Sequence, residues 1–279
     1  MSGKPLHRAA LCLLLVLLAG SAHAVEAIPA RISQGELAVG RVDPAAEVRL
    51  GERRLRVDAE GRFVFAAGRD ENGPLHLHII GPEGDQTRHD IEVTPRQWRI
   101  ERVTGVPQQT VTPDPAIAER IAREQARVVA ARRRDDARSD FAVDFRWPTR
   151  GRISGVFGSQ RVYNGTPRSP HSGLDVAAAS GTPLYAPAAG LVTFAEPDLF
   201  LTGGTVLIDH GHGVSSVFLH LSRIDVEPGQ RLEAGDVFGA VGATGRATGP
   251  HMHWGLNWFD LRLDPALLPG IREDLSERP

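Results

Sequence analysis

Apolar and polar residues alternate in short bursts over the first part of the chain, from about Ala30 to Val93. Glu47-Val48-Arg49-Leu50, Arg54-Leu55-Arg56-Val57, Arg62-Phe63-Val64-Phe65 and Leu75-His76-Leu77-His78-Ile79 change faces as successive side chains of a strand do. Turn signals separate them at Asp43-Pro44, Ala59-Glu60-Gly61, Asn72-Gly73-Pro74 and Gly81-Pro82-Glu83-Gly84. Residues 25–95 therefore predict a small antiparallel β domain, sandwich or barrel. The pattern then shifts. Thr112-Pro113-Asp114-Pro115 reads as a helix start, and Ile117, Ile121, Val128 and Val129 form one apolar stripe among charges. This makes 96–145 a linker with an α-helix running to about Arg138, and Arg132-Arg133-Arg134-Asp135-Asp136 its solvated end. Glycine-punctuated β segments return near Trp147 and continue to about Leu263, so 146–270 predicts a second, mainly β domain, with 271–279 a tail.

The opening residues read as an address. Lys4 and Arg8 precede an apolar run, Leu11 to Ala19, and Ala22-His23-Ala24 has the small-x-small form of a cleavage site. The run is far shorter than the roughly 20 residues a spanning helix needs. Residues 1–24 are thus expected to be a signal peptide, with an uncleaved anchor as the alternative. No integral membrane segment is expected after it, and an exported protein follows, periplasmic first and extracellular second.

Charge and cysteine count narrow the chemistry. The 279 residues hold 32 basic and 34 acidic side chains, which gives no basic footprint for nucleic acid. Removing residues 1–24 takes away Lys4 and Arg8, leaving 30 basic against 34 acidic, a net charge of −4. It also removes Cys12, the one cysteine, so the remaining chain has no thiol and any metal must be held by nitrogen and oxygen.

The 11 histidines are spread unevenly, six of them between His171 and His253. His76 and His78 share a strand face, and His89 is the sole candidate third ligand nearby, so a solvated polar stripe is the better reading there. In His171-Ser172-Gly173-Leu174-Asp175, an extended chain brings His171 and Asp175 to one face, and Gly173 leaves room between them. His251-Met252-His253 likewise puts two imidazoles on one face of a strand, with Met252 opposite. His220 sits among apolar neighbours in Val217-Phe218-Leu219-His220-Leu221, the usual setting of a buried core histidine. Three ligands with two further imidazoles suit a catalytic zinc site, which keeps one coordination position open, better than a closed structural one. His210 and His212 follow a buried strand, Thr205 to Asp209, and read as loop or groove residues.

These motifs, in this order, resemble the lysostaphin-type (LytM-like) zinc metalloendopeptidases, which cut peptide bridges of bacterial peptidoglycan. The resemblance rests on His171-x-x-x-Asp175, Val206-Leu207-Ile208-Asp209-His210-Gly211-His212-Gly213, Leu219-His220-Leu221 and His251-x-His253. The stretches 181–190 and 239–245 support it, and the likeness covers about residues 147–265. It implies a compact antiparallel β peptidase domain with a groove, Zn2+ held by His171, Asp175 and His253, and His220 and His251 as the catalytic histidines. It implies peptidoglycan peptide stems as the partner, with D-Ala–diaminopimelate crosslinks favoured for an exported enzyme of this kind. The alternative is a non-catalytic binding module of the same fold that activates a cell-wall amidase. Some members of the family are latent, so Asn164, in an Asn-Gly hairpin signal, or the N-terminal domain is a candidate for self-occlusion or regulation.

Overall fold

Each alternating burst becomes a strand in the computed structural model, which describes residues 26–104, 114–163 and 165–276. The expected signal peptide and Asn164 lie outside the described residues. The N-terminal strands are β1 (Arg31–Ser33), β2 (Leu37–Arg41), β3 (Glu47–Leu50), β4 (Arg53–Leu55), β5 (Arg62–Ala66), β6 (Leu75–Ile80) and β7 (Gln86–Thr94). Five of them form a sheet in the order β1-β7-β6-β3-β4, and β2 pairs with β5 in a second. Pairing is antiparallel except between β1 and β7. Val48, Leu77, Ile79 and Ile91 from the first sheet and Phe63 and Phe65 from the second are buried. His76 and His78 lie on the outer face of β6, where His76 Nδ1 is 2.7 Å from Asp90 Oδ1. His89 pairs with Leu77 and so belongs to the other face, which leaves the polar-stripe reading standing.

The connecting region holds a strand that no alternation in the sequence announces, β8 (Ile100–Val103), followed by helix α1 (Pro115–Arg132). Asp114 caps the helix, accepting from the Ala116 N–H at 2.9 Å. Val128 and Ala131 pack on Phe194, Leu199, Leu207 and Val217, so the helix lies against the C-terminal domain. It ends at Arg132, short of Arg138, and Arg132 is buried rather than solvated. The reason is helical spacing. Arg132 lies four residues after Val128, on the same inward stripe, whatever the charge of its neighbours.

The C-terminal strands are β9 (Arg152–Gly155), β10 (Gln160–Tyr163), β11 (Thr166–Pro167), β12 (Leu174–Ala177), β13 (Pro183–Tyr185), β14 (Gly190–Leu199) and β15 (Gly203–Gly211). After them come β16 (Val214–Leu221), β17 (Arg223–Ile224), β18 (Arg231–Leu232), β19 (Val237–Ala240), β20 (His251–Trp258) and β21 (Leu261–Leu263). The main sheet runs β18-β14-β15-β16-β20-β12-β9, with β21 on the far end of β20; its pairs are all antiparallel. Smaller sheets are β13-β19-β17 and β11-β10-β8, the latter joining the connecting region to the C-terminal domain. The tail is structured too: residues Ile271–Ser276 form a second helix, α2, whose Ile271 is fully buried.

Strand β20 divides the sheet's two roles. Met252, Trp254, Leu256 and Trp258 point into the core, and Trp254 stacks on its cross-strand partner Phe218, which packs on Phe238. Truncating a buried aromatic of this kind costs about 3–5 kcal/mol. His251 and His253 take the opposite face.

Candidate metal centre

The register of two strands, with the loop before one of them, brings the candidate ligands together. On β12 and β20, Asp175 stands directly opposite His253, and His171 enters from the loop before β12. His171 Nε2 is 3.1 Å from Asp175 Oδ1 and 3.2 Å from His253 Nδ1, and the third side of this triangle is 2.8 Å. Bonds of about 2.0–2.1 Å to a tetrahedral zinc set ligand atoms roughly 3.3 Å apart, so the triangle is close to one face of such a tetrahedron. Among the described residues, this is the one group of three or more histidine, cysteine or acidic side chains arranged to hold a metal ion. His171 Nδ1–H donates to the Val156 carbonyl at 3.0 Å, fixing the tautomer that leaves Nε2 with its lone pair. His253 presents Nδ1, while its Nε2 is buried without a hydrogen-bond partner.

Close approach explains the small residues around the triangle. A Cβ on Gly173 would lie 2.8 Å from His253 Nε2, and one on Gly155 would lie 2.3 Å from Asp175 Oδ2. Burial alone would push the Asp175 carboxyl up, but hydrogen bonds and charge from His171 and His253 outweigh it and hold it well below the usual range. Burial pulls His171 down, yet Asp175 beside it carries the net shift upward. His253 is lowered, chiefly by burial.

Two further rings flank the triangle. His220 is buried at 8% exposure, and its ring centroid is 4.9 Å from that of His251 and 6.5 Å from that of His253. It owes this position to a β-bulge. Gly204 pairs with Leu221 but Val206 pairs with Phe218, so β16 spends one residue more than β15 over the same span. There His220 takes φ +66°, and its N–H donates to Thr202 O at 2.8 Å instead of continuing the ladder. Its Nδ1–H donates to Thr244 O at 2.8 Å, and His251 makes the equivalent 2.8 Å bond to Gly249 O. Both rings are thereby fixed with Nε2 as the remaining acceptor. Burial pushes His220 down to about 4, so it is neutral near pH 7.

All five expected residues therefore converge; His210 is corrected, and His212 keeps the turn expected of it but is buried there. His210 belongs to β15 and is fully buried, and His212 is buried in the turn that follows, so neither is a groove residue. The segment 136–145 covers them: Phe145 packs edge-on against His210, Phe141 against His212, and the Phe141 and His212 main chains bond to His210 O and Asp136 O. His210 serves the far side of the sheet. Its Nδ1–H donates to Ala189 O at 2.8 Å, and its Nε2 accepts from Ser216 Oγ at 2.9 Å, which in turn accepts from Trp254 Nε1 at 3.1 Å. The carbonyls of Val156, Thr244 and Gly249 were missed as orienting groups, because a main-chain acceptor has no signature in residue type.

Fold and site together define a metallopeptidase class of antiparallel β domain. The sequence profile of peptidase family M23 matches residues 169–265. The chain is 34% identical to a Pseudomonas aeruginosa protein of known crystal structure described as a peptidase M23, with a TM-score of 0.64 over 86% of this chain and 95% of that one. Peptidoglycan DD-endopeptidase ShyA of Vibrio cholerae is 39% identical over 117 residues, 42% of this chain and 26% of the relative. DD-carboxypeptidase/endopeptidase Mpg of Neisseria meningitidis is 43% identical over 84 residues, 30% of this chain and 19% of the relative. The chain thus spans about a quarter or less of the length of these curated relatives. It belongs to peptidase family M23, the lysostaphin-type family its motifs resemble.

Proposed function

We propose that this protein is a zinc-dependent peptidoglycan endopeptidase that hydrolyses peptide crosslinks of the bacterial cell wall, D-Ala–diaminopimelate bonds in particular. The observation that carries the reading is the nitrogen-and-oxygen triangle of His171, Asp175 and His253 with two carbonyl-anchored imidazoles beside it. The donor set fits zinc: two imidazoles, one carboxylate and no thiol. Bound there, zinc supplies Lewis acidity toward the scissile carbonyl and a nucleophile near neutral pH.

The chain's own groups do the rest. Asp175 contributes the single negative charge, so the centre keeps a net positive charge with a dication bound. His220, neutral and held by Thr244, accepts the proton released from water and can pass it to the leaving amine. His251, anchored by Gly249, faces the same site, and with a proton on its Nε2 it donates to the oxyanion that develops on the carbonyl. The relatives named for DD-endopeptidase activity support the crosslink as substrate. Such a substrate places the enzyme outside the cytoplasm, in keeping with residues 1–24 as a leader. Among the described residues, no helix is long and apolar enough to cross a membrane.

The test is digestion of purified muropeptides by zinc-loaded wild type, His220→Ala and His251→Ala, followed by mass analysis. Loss of crosslinked dimers with wild type alone is the expected result. Unchanged dimers with every protein would overturn the endopeptidase and favour the binding module that activates an amidase.

A further inference from the structure

The support of His171 comes from outside the segment that matches the family. His171 precedes β12, so no ladder holds it; its main chain is fixed by the turn after β9. The Gly158 N–H donates to His171 O at 2.9 Å, the His171 N–H donates to Ser159 O at 2.8 Å, and the imidazole itself bonds Val156 O. Whatever sets the 156–159 turn therefore sets this ligand.

Three contacts from earlier in the chain grip that turn. Arg69, in the N-terminal domain, donates from Nε to Gly158 O at 3.0 Å. Trp98 meets buried Phe157 edge to face, with ring centroids 5.8 Å apart. Gly158 has φ +77°, and a Cβ there would lie 2.2 Å from the Trp98 ring, so the backbone runs directly against the indole. Two guanidiniums lie over the indole, Arg69 at 5.0 Å and Arg96 at 4.7 Å, and Arg96 is tied to buried Asp264 at 2.9 Å. Immediately afterwards, β8 pairs in parallel with β10, and the Gln160 N–H donates to Arg99 O at 2.9 Å. None of these gripping residues except Asp264 lies within 169–265.

We propose that Arg69 and Trp98 are positioning residues for the metal ligand His171, so that the N-terminal domain is a working part of the metal centre rather than an appended adaptor. This rests on the ligand assignment above. Groups that orient a ligand from behind commonly change metal affinity by about 10–100-fold. The clamp acts in the same way through one turn of backbone.

The test uses the full chain and four variants: Arg69→Ala, Arg69→Lys, Trp98→Leu and His253→Ala, with Arg88→Ala as a control on the distant outer face of β7. Zinc affinity is measured by chelator competition, and ligand geometry by the visible absorption of the Co2+-loaded protein. Arg69→Ala and Trp98→Leu are expected to weaken zinc binding about tenfold and to alter the Co2+ band. Arg69→Lys, which keeps a donor for Gly158 O, is expected to recover most of the affinity, and Arg88→Ala to match wild type. If Arg69→Ala does not fold, Trp98→Leu and Arg69→Lys are read by the same two measurements. Wild-type affinity and an unchanged Co2+ spectrum in the clamp variants, while His253→Ala loses zinc, would overturn the positioning role. Undiminished binding by His253→Ala would instead overturn the ligand assignment itself.

Discussion

His210 makes the stability of this protein depend on pH. The ring is completely buried, and burial pushes it down to about 4, with the bond to Ala189 O pulling part of the way back. Unfolded, the same histidine titrates near 6.5. Between those values the unfolded chain binds a proton that the native chain refuses, so stability rises with pH across this window. The contribution is complete above about pH 6.5 and is lost as pH falls toward 4, where the native ring begins to protonate too. A difference of about 2.5 units, at about 1.36 kcal/mol each, amounts to about 3 kcal/mol. The assay is urea denaturation of metal-free protein at intervals from pH 7.5 to 4.5, for wild type and for His210→Gln. Glutamine keeps a donor and an acceptor in the pocket without the titration. Subtracting the two curves cancels the other ionisable groups, including the histidines of the candidate metal centre. Wild type is expected to lose about 2.5 kcal/mol more than His210→Gln over the range, which stops short of the native value. Parallel curves would refute the claim that this histidine is buried as the neutral form.

Three further outcomes follow from the geometry. Gly155→Ala places a methyl against Asp175 Oδ2 and is expected to weaken zinc binding at least tenfold in isothermal titration while the far-ultraviolet spectrum is kept. Arg138 pairs with Asp209, a carboxyl that burial pushes up to about 6, so Arg138→Met is expected to cost about 3–5 kcal/mol in chemical denaturation at pH 8 and less at pH 5, where Asp209 takes a proton. An equal cost at both pH values would count against this. His220→Ala and His251→Ala are each expected to retain zinc by elemental analysis and to lower turnover of a crosslinked muropeptide by about 10²–10⁴-fold, and loss of the metal would show them to be ligands instead.

Local periodicity made part of the site legible in the sequence. His251-Met252-His253 needs only a strand to put two rings on one face, and the strand signals of the N-terminal domain came with their own turns. His220 was harder: taken alone, its apolar neighbours describe a core residue, and only its company and the resemblance marked it as catalytic. The bulge that turns it toward His251 arises from a mismatch between β15 and β16, which neither strand records by itself. His210 misled for a similar reason. Gly211 and Gly213 give a true turn signal, but the burial comes from 136–145 folding across it. Arg132 sits in a run of charge, and only its helical phase relative to Val128 sends it inward. The bond from Arg69 to Gly158 joins residues 89 apart in the chain, and β8 finds its partner only in space, so no periodic signal announces either.

Alternation along β20 ties the assembly of the site to the folding of the core. A slip of one residue would exchange His251 and His253 for Met252 and Trp254, dismantling core and metal triangle in the same step. Native register and assembly of the site are thus a single event. A molecule that pairs β20 wrongly has neither the packed core nor the triangle of His171, Asp175 and His253.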